Sequence, residues 1–259
     1  MAPVGIRCPE HAGGQRVVDR SRAFDVIAPV TRILIGLNVA VYIAELATGS
    51  GVNGNRGWIF QEGTLIARGV KIGDFLIPGA TQNLPFGPVV GVAEGDWWRL
   101  LTAAFMHYGP IHLALNMFAL YFAGSLLERA IGRWRFLLLY LASGIAGSAG
   151  ALVLKPLAAT VGASGAVFGV LGALFVLERR GTIRTEGQIA GLIVINLIFT
   201  LAFASSISVG GHVGGLLGGI AAMFLLTRFR SAPALGNAGV VGVAVAAVVV
   251  AYLKVRGYA

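Results

Sequence analysis

The sequence predicts an all-α polytopic membrane protein: a six-helix bundle, a seventh C-terminal transmembrane helix, and a long structured first outer loop. Three observations carry this reading. Of 259 residues, 56% are hydrophobic and only 12% are charged, and the mean hydropathy is +0.80. Ordinary soluble domains carry about 25% charged residues, so this chain cannot clothe itself in a polar surface. Apolar runs recur at close to the roughly 20 residues that span a bilayer. One long stretch between the first two runs is rich in Gly, Pro and Trp and has the size of a loop with its own structure.

Taken in order, the predicted spans are Ile33–Thr48, Ile111–Leu127, Trp134–Leu154, Val161–Leu177, Ile189–Ala204, Gly211–Thr227 and Gly239–Leu253. Gly187–Thr227 contains no Asp, Glu, Lys or Arg yet is twice the length of one helix, so Ser205–Gly211 is read as the turn that splits it. The first loop, Gly49–Pro110, holds Trp58, Phe60, Phe75, Phe86, Trp97 and Trp98, a composition suited to the membrane interface. Ser231–Ala238 reads as a linker, which makes the last span an appendage to a core of six. The domain reading is therefore a basic cytoplasmic segment at 1–30, a membrane domain at 31–230, and a linker plus extra helix at 231–259. No internal repeat is visible, which disfavours a transporter built from inverted repeats.

The net charge of +9 would suggest nucleic acid in a soluble protein. Placing the N-terminus inside leaves only Arg56, Arg68, Lys71, Arg99, Lys155, Lys254 and Arg256 outside, seven of the 20 Lys and Arg residues. The other thirteen fall in the cytoplasm, four of the seven outer ones share the long loop, and the positive charge follows without a nucleic-acid partner. Residues 1–25 hold four arginines and no apolar core long enough for a signal peptide, so the first span is expected to insert as an uncleaved anchor. The single cysteine, Cys8, excludes an intramolecular disulfide, and Cys8-Pro-Glu-His11 is at most half of a zinc site. His107, His112 and His212 do not make a convincing metal set either, because the 107–112 spacing does not stack on one helix face. No metal or cofactor is expected.

The topology then places polar side chains by depth. Gly162-Ala163-Ser164-Gly165 opens the fourth span, with Ser164 about one turn below its outer end. His212 in the sixth span and His112 and Asn116 in the second reach a similar depth, and the i, i+4 pair shares one helix face. Gly165, Gly169 and Gly172 form a groove beside Ser164, while Gly215 and Gly219 lie on the face of His212. Small residues at such spacing let helix backbones approach closely, which is also the ordinary pattern of membrane packing. A serine hydroxyl needs a base to become a nucleophile, and His212 is the available one. No carboxylate lies near His212, so the spacing favours a Ser–His dyad over a triad. His112 and Asn116 offer N–H groups to a developing oxyanion, as does the start of the fourth helix.

Together these residues resemble the rhomboid intramembrane serine proteases over most of Ile33–Arg228. The matching features are Trp98-Arg99, His107, His112-x-x-x-Asn116, Glu128 with Gly132, the GxSG form of Gly162–Gly165, and His212-x-x-Gly215-x-x-x-Gly219. The resemblance implies that Ser164 is the nucleophile, that His212 is its base, and that the Ser164 N–H, His112 and Asn116 form the oxyanion hole. It implies supporting or substrate-facing places for Gly162, Phe168 and Trp98, and structural ones for Arg99 and Glu128. It further implies cleavage of single-span membrane proteins that enter laterally past the fifth span and the first loop, within the plasma membrane of a bacterium. Phe168 stands where many bacterial members have a tyrosine stacked on the histidine, and Gly211 where alanine is frequent. A non-proteolytic binder of membrane helices is the alternative, and the presence of both Ser164 and His212 argues against it.

Overall fold

Glycine-lined contact between three helices sets the centre of the computed structural model, which describes residues 28–52, 54, 56–79 and 87–258. The basic N-terminal segment and Cys8-Pro-Glu-His11 lie outside the described residues. The helices concerned are α6 (Arg133–Leu154), α7 (Ser164–Arg179) and α9 (Val209–Arg228). A Cβ added at Gly215 would lie 2.6 Å from the carbonyl carbon of Gly165, and one at Gly219 would lie closer still to Gly169. A Cβ at Gly214 would lie 3.0 Å from the Gly150 Cα. Because 165/169 and 215/219 share the i, i+4 spacing, one contact is repeated a helical turn further on. In lipid, burying apolar surface does little to join helices, and such backbone-to-backbone approach does most of the work.

Around this centre run α1 (Pro29–Ala47), the helix α4 (Gly109–Ala119) continued through a π turn at Leu120–Gly124 into α5 (Ser125–Ile131), α8 (Gln188–Ala202) and α10 (Pro233–Val255). Among the described residues, five helices are long and apolar enough to cross a membrane: α1, the α4–α5 helix, α6, α9 and α10. The outer faces of the bundle expose Ile111, Leu115 and Phe118 on α4, Ile195 and Ile198 on α8, and Val245 and Val249 on α10. An apolar exterior over a polar-containing interior is what a lipid-immersed bundle requires. The chain is an integral, multi-pass membrane protein.

Helix ends explain several boundaries. Gly132, at φ 85°, closes α5 and opens α6 in a backbone conformation that side-chain-bearing residues avoid. α1 has no capping side chain of its own. Its first N–H groups are taken instead by Glu128 of α5, which accepts from Val30 N at 3.0 Å, Thr31 N at 2.8 Å and Thr31 Oγ1 at 2.8 Å. α9 is capped by Ser208, whose hydroxyl accepts the Gly211 N–H at 3.1 Å, and so the helix begins at Val209, two residues before the predicted start at Gly211. Pro233 opens α10, so most of the predicted linker is helical.

The long loop carries α2 (Trp58–Gly63), α3 (Arg99–Thr102) and a three-stranded antiparallel sheet of β1 (Gly69–Ile72), β2 (Phe75–Pro78) and β3 (Val89–Val90), in the order β2-β1-β3. It is fastened to the bundle by Leu65 and Thr160, which exchange backbone hydrogen bonds of 3.1 and 2.9 Å. Its buried Leu65, Ala67 and Val92 share a core with Leu152 of α6 and Ala247, Ala251 and Val255 of α10. Arg68 also donates to the Tyr258 carbonyl at 2.6 Å. The last helix thus packs against both the bundle and the loop.

Candidate active site

Ser164 is placed by the turn before it. Gly162 has φ 124°, and its N–H donates to the Ala103 carbonyl at 2.8 Å. A side chain there would also strike the His112 ring, with its Cβ 2.6 Å from Cε1, so glycine alone fits. The bend ends the extended approach, and α7 starts at Ser164 itself. The span predicted from Val161 puts Ser164 one turn inside, whereas the conformation of Gly162 makes Ser164 the first helical residue. Its N–H therefore belongs to the first turn, where backbone donors have no intrahelical partner and the helix dipole is positive.

His212 lies in the first turn of α9, and its Nε2 is 2.8 Å from Ser164 Oγ. The meeting follows from the glycines, because Gly165 adjoins the serine and Gly215 sits one turn after the histidine. Phe168, one turn after Ser164, stacks on the imidazole with centroids 4.1 Å apart and planes at 18°. On the other side, Thr200 of α8 places Oγ1 2.7 Å from His212 Nδ1.

The second pair comes from α4. The Tyr108 N–H donates to His112 Nδ1 at 3.3 Å, so in the neutral ring the proton resides on Nε2, the atom that faces Gly162. Asn116 Nδ2 donates to the His112 carbonyl at 2.9 Å, which fixes the amide and leaves its second N–H for another acceptor. Behind them His107 is fully buried, its ring tilted against His112 at 5.1 Å, and its backbone N–H donates to the Glu45 carboxylate of α1 at 3.3 Å. Burial, and secondarily the neighbouring His112, push the His107 ring down to about 4, so it is neutral at physiological pH.

Ser164, His212 and Phe168 therefore meet at one point, the His112 ring lies against Gly162 in the turn before the serine, and Asn116 is joined to this group through the His112 carbonyl. Trp98, Arg99 and Glu128 do not join them. Arg99 is fully buried in the loop, where it donates to Asp96 Oδ2 at 2.8 Å, to the Thr64 carbonyl at 2.9 Å and to the Gln61 carbonyl. Trp98 is exposed and donates to the Glu62 carbonyl at 3.1 Å, while Glu128 caps α1 as described above. Two further residues touch this group, Glu45 through the His107 N–H and Thr200 through His212. Glu45 is the one acid within a predicted span toward the outer side, and no motif or spacing gives it a partner. Thr200 shares a helix face with Asn196, four residues before it, in a segment whose other side chains are apolar, and that pair is the signal that points to it.

Fold and site together define a multi-pass helical membrane protein in which a serine and a histidine from two closely packed helices share a hydrogen bond. The Rhomboid domain profile matches residues 94–229. The chain belongs to the rhomboid family. It is 46% identical over 132 residues to Rhomboid protease GluP of Bacillus subtilis, a match covering 49% of this chain and 26% of that one. It is 41% identical over 148 residues to Putative rhomboid protease YdcA of the same organism, covering 54% and 72%. It is 34% identical over 170 residues to RHOMBOID-like protein 4 of Arabidopsis thaliana, covering 59% and 43%. The chain thus spans about a quarter of the first relative's length and about seven-tenths of the second's.

Proposed function

We propose that the chain is a serine endopeptidase that cleaves membrane-embedded segments of other proteins, with Ser164 as nucleophile and His212 as general base. The observation that carries this is the 2.8 Å hydrogen bond between Ser164 Oγ and His212 Nε2. In the reaction, His212 takes the serine proton as Oγ attacks a peptide carbonyl, a role worth about 10²–10⁴-fold in rate. The negative charge that develops on the carbonyl oxygen is met by the Ser164 N–H, the His112 Nε2–H and the free amide hydrogen of Asn116. Each such donor is worth about 10²–10³-fold. His212 then passes its proton to the leaving amine, and an acyl group remains on Ser164. Water, activated by the same imidazole, releases it and restores the serine.

A single-span membrane protein is the substrate class that fits the surroundings. Ser164 and His212 lie at helix ends inside a bundle whose outer faces are apolar, and α8, which borders the histidine, presents Leu192, Ile195, Ile198 and Phe199 outward. A peptide bond brought past that face belongs to a chain already in the bilayer. The basic residues favour a cytoplasmic N-terminus, which puts Ser164 in the outer half of a bacterial plasma membrane. The test is cleavage of a panel of single-span substrates by purified protein in lipid vesicles. Wild-type protein is expected to cut at least one of them and Ser164→Ala none; cleavage by both at equal rates would end the proposal.

A further inference from the structure

In sequence, His212 has a serine to act on and no carboxylate near it to hold its other ring nitrogen. The geometry supplies the missing neighbour. Thr200 is 1% exposed, and its Oγ1 has two partners: the Asn196 carbonyl at 2.7 Å and His212 Nδ1 at 2.7 Å. A threonine bonded to the carbonyl four residues back is common in membrane helices and alone would mean nothing. The second contact changes its meaning, because a hydroxyl has one proton and a carbonyl can only accept. With that proton on the Asn196 carbonyl, Oγ1 turns a lone pair toward Nδ1, and the contact is satisfied only when Nδ1 carries the hydrogen. In a neutral imidazole Nε2 is then unprotonated, which is the form that can accept the proton of Ser164. The opposite tautomer would make Nε2 a donor, unable to take the serine proton, and would leave the Thr200 oxygen facing a lone pair at 2.7 Å, on Nδ1 or on the Asn196 carbonyl, whichever its one proton does not reach.

We propose that Thr200 is a positioning residue that holds His212 in its base-competent tautomer and orientation, so that a hydroxyl on α8 does for this histidine what a carboxylate does in a triad. The proposal rests on the reading of His212 as the base of Ser164. It also places a condition on the helix. Of the fifteen residues of α8 only Ile189, Ile193 and Thr200 are buried, whereas nine of the twenty in α9 are. The element carrying the tautomer lock is thus the most lightly packed neighbour of the site, and displacing α8 removes the lock along with it.

The test compares Thr200→Val with Thr200→Ser in cleavage of a single-span substrate, alongside the ring ¹⁵N shifts of His212 in the wild-type protein. Losing one hydrogen bond of ordinary strength corresponds to about a tenfold loss. Thr200→Val is expected to lower kcat about tenfold with KM within about twofold, and Thr200→Ser to stay within about twofold of wild type. The wild-type ring is expected to show a protonated Nδ1 and an unprotonated Nε2 at neutral pH. An unchanged kcat in Thr200→Val, an equal loss in both variants, or a wild-type ring protonated at Nε2 would each overturn the proposal. Should Thr200→Val fail to fold, the serine variant and the wild-type spectrum decide. Failure of the underlying reading looks different: the wild-type protein itself would cut nothing.

Discussion

Gly215→Ala tests the packing on which the serine–histidine contact depends. The new methyl carbon would lie 2.6 Å from the Gly165 carbonyl carbon and closer still to its oxygen. Ordinary contact between carbon atoms begins at about 3.5 Å, so α7 and α9 must part by about 1 Å. Gly165 follows Ser164 directly and Gly215 is one turn from His212, so the displacement reaches the pair almost undiminished. Their 2.8 Å hydrogen bond opens toward 4 Å, past the limit at which the proton can be shared. Misplacement of reacting groups by about 1 Å costs about 10²-fold, and overpacking costs about 1–3 kcal/mol of stability. The expected outcome is a kcat at least 100-fold below wild type in a protein that still folds, measured by substrate cleavage alongside thermal unfolding in detergent. Gly191→Ala, on α8 with nothing within 4 Å of the added carbon, is the control and stays near wild type. Wild-type cleavage by Gly215→Ala would refute the idea that glycine contact sets the serine–histidine distance.

Phe168→Ala removes the ring stacked on His212, an interaction worth about 1 kcal/mol, and is expected to lower kcat about fivefold, whereas Phe168→Tyr keeps it. Glu128→Ala leaves the first N–H groups of α1 without a buried acceptor and should destabilise the fold by about 2–4 kcal/mol, read as a lower unfolding temperature. His107 gives a pH dependence: the unfolded chain binds a proton near 6.5, the fold only at about 4. Between those values the unfolded state holds the extra proton, so its contribution to stability is complete above pH 6.5 and falls away as the pH drops toward 4. At about 1.4 kcal/mol per unit the loss reaches about 3 kcal/mol, and denaturation against pH should flatten in His107→Gln.

Much of this was legible in the residues because a bilayer imposes length and apolarity on every span. All seven predicted segments contain a helix. Ser164, His212, His112 and Asn116 could be placed together because polar side chains in membrane helices are few and their depth can be counted. What stayed hidden needed the rotation of helices about their axes. Asn196 and Thr200 share one face of α8, but their spacing does not tell that this face turns toward His212. Glu45 meets a backbone N–H, and a backbone donor leaves no mark in sequence. The loop sheet escaped because strands of two to four residues are too short to establish an alternation. The start of α7 at Ser164 depended on the φ of Gly162, which composition cannot report.

Fluorophosphonate labelling reads the activated serine itself, independently of any substrate. Purified wild-type protein is treated with the reagent, digested, and the peptide containing Ser164 is weighed. The expected result is one phosphonyl group on Ser164, none in Ser164→Ala, and labelling at least 100-fold slower in His212→Ala. An unmodified Ser164, or labelling that proceeds at the same rate without His212, would contradict the serine–histidine chemistry proposed for this site.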